Sequence, residues 1–374
     1  MLQTINGMAK FRVSGTEPRA FSNWARAFST QKSLAVRLRQ SATHMAAFHA
    51  GYPLICSAIL YAAYAYYAAK PDVPPMTTGQ ILAFMASFGQ FLASMLAMAS
   101  AVVTVAGVTP VYERCKPILE TLPEASGTQT HPGELQGRIE VNNVSFRYSH
   151  DGPQILRNIS LTIEPGQFVA IVGGSGCGKS TLFRLLLGFE KPESGGIYFD
   201  GQDLSGLDPR AVRQQFGVVI QSSKVISGDI FANITGASNL TLDDAWNAAR
   251  LAGLTEDIQA MPMGMHTVVS EGGGTLSGGQ RQRLMIARAI VRRPRIILFD
   301  EATSALDNQT QAIVSRSLES LQATRIVVAH RLSTIVNADR IYVLNKGVVE
   351  QSGTYEELMR QEGLFRELAL RQIA

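Results

Sequence analysis

Cysteine is scarce: three residues, Cys56, Cys115 and Cys177, in a chain of 374. An odd number without a CxxC pair argues against a disulfide framework and a zinc site, and it suits a reducing cytosol. Charge is absent from one long stretch, since no Asp, Glu, Lys or Arg occurs between Val73 and Tyr112. From Met45 to Ala69 the chain is again uncharged, and His49 is its one histidine. A dense Lys/Arg patch is lacking too. The formal charge of +4 therefore does not point to nucleic acid as a partner. Residues Met1 to Lys10 carry neither a basic-then-apolar pattern nor a cleavage site, so no secretory signal is expected there.

Two long apolar runs fill the uncharged stretches, at about 46–69 and 80–111. Each exceeds the roughly 20 residues that cross a bilayer. A charge at a span centre costs about 2.5 to 3.5 kcal/mol on insertion scales, which accounts for their emptiness. A pair of helices in a soluble bundle is the competing reading, but such helices keep a polar face, and Gln80 and Gln90 do not make one. Between the runs, Lys70 to Gly79 contains three prolines and a glycine and reads as a turn. Lys32, Arg37 and Arg39 precede the first run, and Arg114 and Lys116 follow the second. The positive-inside rule puts both outer ends in the cytoplasm. Upstream, Pro18 to Arg39 reads as an amphipathic cytosolic helix with Phe21, Trp24 and Phe28 on one face.

The stretch 123–133 (PEASGTQTHPG) is a linker by composition. Residues 1–122 then form a partial transmembrane domain and 134–374 a second domain. In the second, short apolar runs (Phe168 to Val172, Gly217 to Ile220, Ile296 to Phe299, Arg325 to Ala329, Arg340 to Leu344) alternate with helical segments. That alternation predicts an α/β domain around a buried, mostly parallel sheet.

The sharpest chemical feature follows the first of these runs: Gly173, Gly174, Ser175, Gly176, Cys177, Gly178, Lys179 and Ser180, continued by Thr181. It fits G-x-x-x-x-G-K-[ST] between a strand and a helix, a P-loop. Its glycines let backbone N–H groups turn inward toward phosphate oxygens, and the helix N-terminus adds partial positive charge. Lys179 is placed to reach the β- and γ-phosphates of ATP, and Ser180 to ligate Mg²⁺. Downstream, the run Arg295 to Phe299 ends in Asp300 and Glu301. Asp300 is placed to hold the metal, and Glu301 to orient or deprotonate the attacking water. Phosphoryl transfer needs positioning and charge neutralisation more than covalent help.

Between these lies Leu276 followed by Ser277, Gly278, Gly279 and Gln280, opening a further helix. With this LSGGQ run the chain resembles the nucleotide-binding domain of ATP-binding-cassette (ABC) transporters. The fold implied is an α/β P-loop NTPase with a helical subdomain, preceded here by an α-helical membrane segment. The resemblance implies that two such domains pair head to tail, the signature of each closing on ATP held by the other. It also implies that Tyr148 stacks on adenine, with Phe146 more suited to the core. Gln221 would sense the metal and the attacking water, Asp307 would end a loop crossing the dimer interface, and His330 would contact the γ-phosphate. Glu271 to Gly273 resembles a short motif by which exporter ATPases touch their membrane domains.

Spans placed ahead of the ATPase in one chain resemble exporters. Segments 5–21 and 188–195 are most similar to bacterial NHLM-type (nitrile-hydratase-leader microcin) peptide exporters. The resemblance implies ATP-driven export of a peptide or small molecule across the bacterial inner membrane. The working unit would be a homodimer or paired half-transporter, embedded in lipid as a multi-pass protein with its ATPase in the cytoplasm. Such exporters carry six spans per half and this sequence has one hairpin, so a truncated product is expected over a split transporter. An ABC protein that binds or hydrolyses ATP without transport, and a soluble ABC ATPase, are the alternatives.

Overall fold

The computed structural model describes residues 4–5, 7–70, 76–122, 124, 129–221, 223–236, 238–270, 276–300, 302, 306–329 and 331–373. The chain divides into two compact units, Met1–Leu122 and Pro123–Ala374.

The first unit is helical. Its short helix Met8–Ser14 is followed by two long ones, Glu17–Ala68 and Thr78–Glu120. The sequence reading separates an amphipathic helix from a span, but the structure runs them into a single helix of 52 residues. No Gly or Pro stands between Gln40 and Met45 to interrupt the backbone ladder. At 1.5 Å per residue this helix is about 78 Å long, well over twice the hydrocarbon thickness of a bilayer. The second helix starts at the end of the supposed turn, so Gly79 is helical. Thr77 caps it, its hydroxyl accepting from Gln80 N while Gln80 Oε1 accepts from Thr77 N at 2.9 Å. Residues 71–75 lie outside the described residues. Both helices are long and apolar enough to cross a membrane. Among the described residues of this unit only Leu92 is buried, while Leu54, Ile55, Val102 and Val105 are exposed. Two helices that leave their apolar side chains uncovered do not form the closed core of a soluble bundle.

Among the described residues the second unit contains twelve strands: β1 Ile139–Phe146, β2 Leu156–Ile163, β3 Phe168–Val172, β4 Ser194–Phe199, β5 Gln202–Asp203, β6 Phe216–Val219, β7 Gly228–Asp229, β8 Val268–Val269, β9 Ile296–Asp300, β10 Thr324–Val328, β11 Arg340–Asn345 and β12 Val348–Gly353. Six form the main sheet in the order β12-β11-β3-β10-β9-β6. Its pairs are parallel from β11 to β6, and β12 closes the edge antiparallel. The expected parallel strands are therefore all present. An antiparallel sheet, β2-β1-β4-β5, was not anticipated. Its strands are half-exposed and interrupted by bulges, which blurs their alternation.

Alternate residues of the main strands feed two cores, one on each face. Val169, Ile171, Leu298 and Ile326 pack with the antiparallel sheet and the helix Lys179–Leu186. Phe168, Ala170, Ile297 and Phe299 pack against Leu242–Leu251, Gly278–Ile290 and Asn308–Ser320. Burial on both faces explains why these strands read as unbroken apolar runs. Two buried hydroxyls join the sheets. Thr324 Oγ1 donates to Gly137 O at 2.8 Å and accepts from Gly166 N at 2.9 Å, and Tyr342 Oη donates to Thr162 O at 2.7 Å. Between β6 and β9 the described residues hold the helices Ile230–Thr235, Leu242–Leu251, Thr255–Gln259 and Gly278–Ile290, which make up the helical subdomain.

The end of the linker stretch is tied down. Thr130 N donates to Gly206 O at 3.0 Å, Gln202 to Pro132 O at 3.0 Å, and Arg213 pairs with Glu124 at 2.7 Å. Residues 123 and 125–128 lie outside the described residues.

Candidate functional site

Parallel strands deliver their C-terminal ends to one edge of the sheet, and β3 and β9 flank β10 there. From β3 the chain enters the P-loop. Gly173 has φ +156°, and a Cβ at this position would stand 2.2 Å from Leu344 O, so no side chain fits. The loop curls around Lys179, which is buried. Its Nζ donates to Gly173 O at 2.8 Å and Gly174 O at 2.9 Å and lies 3.8 Å from Cys177 Sγ. Gly178 ends the loop with φ +107°, and the helix Lys179–Leu186 begins.

From β9, Asp300 projects to the same place. Ser180 Oγ donates to Asp300 Oδ2 at 3.1 Å, and Asp300 is only 6% exposed. An exposed hydroxyl and a buried carboxylate brought together are oxygen donors of the kind a hard divalent cation takes. These residues fit Mg²⁺. Gln221 follows β6 in an exposed turn closed by Ser223, whose Oγ accepts from Ile220 N at 3.1 Å and whose N–H donates to Ile220 O at 2.9 Å.

Tyr148, just past β1, is exposed, whereas Phe146 is buried, in line with the expected division between them. The two rings meet edge to face at 4.9 Å, and Tyr148 Oη lies 3.2 Å from Thr181 Oγ1.

The signature run is a helix start. Ser277 caps Gly278–Ile290 in a capping box with Gln280: the Ser277 hydroxyl accepts from Gln280 N at 3.2 Å, and Gln280 Oε1 accepts from Ser277 N at 2.9 Å. Gln280 Nε2 then donates to Asp257 at 2.8 Å, and Asp257 pairs with Arg283 at 2.8 Å. Gly278 and Gly279 supply the first two N–H groups of this helix. Among the described residues, the contacts of Ser277 and Gln280 lie on their own helix and Asp257, away from the P-loop. Asp307 caps Asn308–Ser320 by accepting from Thr310 N at 3.1 Å. Thr310, first through its hydroxyl and then its N–H, holds the Asp307 carboxyl below the usual carboxylate range. Glu301, His330 and the run 271–273 lie outside the described residues.

A protein-family model described as "ABC transporter" matches residues 156–304. The alpha-hemolysin translocation ATP-binding protein HlyB of Escherichia coli O157:H7 is 44% identical over 290 residues, 77% of this chain and 41% of that protein. The chain carries an ABC transporter ATP-binding domain. The leukotoxin export ATP-binding protein LtxB of Aggregatibacter actinomycetemcomitans is 39% identical over 302 residues, 80% of this chain and 43% of its own length. A solved bacterial Atm1-family ABC exporter with ATP bound superposes with a TM-score of 0.86 at 31% identity, over 100% of this chain and 65% of that one. The chain thus spans about two fifths of the length of these curated relatives. The narrower likeness to NHLM-type exporters rests on the two sequence segments that carry it.

Two residues that shape the ATP-binding domain had no motif to reveal them. Asp257 braces the signature helix from a separate helix. Gly347, in the β11–β12 turn, donates its N–H to Cys177 O at 3.2 Å, and its carbonyl accepts from Arg157 N at 2.7 Å. The Lys346-Gly347 pair has positive φ at both positions, the pattern of a tight hairpin turn. That turn is legible in sequence, but its seat beneath the P-loop is not.

Proposed function

We propose that this chain is the ATP-hydrolysing half of an exporter, working as a pair and moving a polypeptide or other substrate out across the bacterial inner membrane. The juxtaposition of Ser180 and Asp300 at 3.1 Å, beside the P-loop lysine, carries the reading. It assembles phosphate binding and metal holding from segments 120 residues apart in sequence. The names of the relatives, which concern translocation of alpha-hemolysin and export of leukotoxin, support a polypeptide cargo. The two long apolar helices support a membrane location, and the basic residues at their outer ends, Arg37, Arg39, Arg114 and Lys116, support an ATPase on the cytoplasmic side.

In this reading Tyr148 stacks on the adenine of ATP. The N–H groups from Gly174 to Thr181 receive the phosphates, and Lys179 exchanges its two carbonyl partners for phosphate oxygens. Ser180, Asp300 and Gln221 hold Mg²⁺, which when bound neutralises charge on the phosphates. Glu301 orients the attacking water and accepts its proton, and His330 contacts the γ-phosphate. Ser277 to Gln280 present helix N–H groups to the ATP of a second copy, with Asp307 at the same interface. Each complete site then takes residues from both chains, and ATP holds them together until hydrolysis releases them.

The Glu301→Gln substitution tests the chemistry. It should retain ATP binding while turnover falls at least about 100-fold, the usual scale of a lost general base. Unchanged turnover would remove Glu301 from that role. Flux of a labelled polypeptide into inverted vesicles, dependent on ATP, tests the export.

A further inference from the structure

The Tyr148 ring is 56% exposed, yet it is held at both ends. One edge meets the Phe146 ring at 4.9 Å with the planes 85° apart, and Phe146 is itself buried. The phenol oxygen lies 3.2 Å from Thr181 Oγ1. Phe146 ends β1 and Tyr148 lies in the bend that follows, which turns its ring back onto Phe146. Thr181 belongs to a different element, the first turn of the helix that follows the phosphate loop, and is buried. A lone exposed tyrosine would sample several rotamers and lose that freedom on stacking. Here the order is supplied before any ligand arrives.

We propose that Thr181 is a positioning residue for nucleobase recognition: its hydroxyl tethers the Tyr148 phenol, so that the stacking face and the phosphate loop form one preorganised unit. A hydroxyl has one proton and two acceptor lone pairs. Thr181 Oγ1 therefore accepts from the phenol and still donates its own proton to a phosphate oxygen. The tether survives nucleotide binding and needs no rearrangement. This inference rests on the reading that ATP occupies the site.

A double-mutant cycle on the full chain in detergent tests it, with ADP and inorganic tripolyphosphate as probes and affinity measured by calorimetry. Tyr148→Phe keeps the ring and removes the hydroxyl, and Thr181→Val keeps the shape and removes the other hydroxyl. Tyr148→Phe should weaken ADP by about two- to tenfold, the scale of one net hydrogen bond. In the Thr181→Val background the same change should have no further effect. Thr181→Ser, which keeps the hydroxyl, should restore the sensitivity to Tyr148→Phe and guards against a valine variant that misfolds. Tripolyphosphate, which has no base, should bind equally well with Tyr148 or Phe. Additive losses for ADP, or tighter ADP binding by Tyr148→Phe, would overturn the tether. Equal loss of tripolyphosphate would overturn it too, by placing the phenol in phosphate binding. Failure of the unsubstituted chain to bind ADP would overturn the nucleotide reading and the tether with it.

Discussion

The Ser180 hydroxyl and the Asp300 carboxylate meet at 3.1 Å, although one begins a helix and the other ends a strand. The parallel order β3-β10-β9 brings them together, because each strand ends at the same edge of the sheet. If the pair holds Mg²⁺, Ser180→Ala and Asp300→Asn should each raise the Mg²⁺ concentration for half-maximal ATPase activity, by about 10- to 100-fold. Titration of turnover against Mg²⁺ at saturating ATP measures this, and an unchanged midpoint in both variants would count against the metal role.

Gly347 should matter to ATP affinity without touching ATP. A Cβ there would stand 2.2 Å from Ile155 O, and the glycine N–H supports Cys177 O of the P-loop. Gly201 is the control, since its φ is +78° but a Cβ would meet nothing within 4 Å. Gly201→Ala should cost only left-handed strain, about 1–2 kcal/mol. Gly347→Ala should destabilise more and also weaken ATP binding. Equal melting temperatures and equal ATP affinities in the two variants would sink the proposed buttress.

Substitution of Asp257 should separate binding from turnover. Its carboxylate holds both Gln280 of the signature run and Arg283. Asp257→Ala should cost about 1–3 kcal/mol by leaving Arg283 without its carboxylate, read as a fall in melting temperature. ATP affinity on the chain's own P-loop should stay within about twofold, while turnover of the paired form falls because the signature helix start is no longer braced. A parallel loss of affinity and turnover would refute that division.

Asp307 supplies the pH prediction. Its pKa is lowered on folding by Thr310, so the stability it contributes is fully present above the unfolded value, near 3.8, and is lost as pH falls through the folded value. Compared with Asp307→Asn, the unsubstituted chain should have its full stability advantage at neutral pH. That advantage should shrink below about pH 4. Melting temperatures of the two proteins from pH 3 to 7 check this; a constant difference would mean the carboxylate charge is not what caps Asn308–Ser320.

Much of the ATP-binding domain was legible in the residues alone. An unbroken apolar run marks a strand buried on both faces, and β3, β9, β10 and β11 fall where such runs stand. The P-loop and the signature are local: their function requires a particular backbone path, and glycines, a lysine and capping residues specify that path within a few positions. The split between a buried Phe146 and an exposed Tyr148 falls at the end of β1, which closes on Phe146 and leaves Tyr148 in the bend beyond it. The antiparallel sheet was hidden because bulges break its period, and the division of the first long helix was misplaced because charge pattern marks a membrane boundary without marking a break in the backbone.

By itself, the sequence determined which groups are available: a P-loop, a carboxylate at a strand end, a serine-capped helix start, and two long apolar runs empty of charge. Tertiary structure alone decided which of them meet. Ser180 reaches Asp300 because parallel strands align their ends; Gly347 reaches Cys177 because a hairpin turn folds beneath the loop; Tyr148 reaches Thr181 because the antiparallel sheet packs on the P-loop helix. Such distances are set by the packing of two sheets around common cores, a property no local stretch of the chain contains.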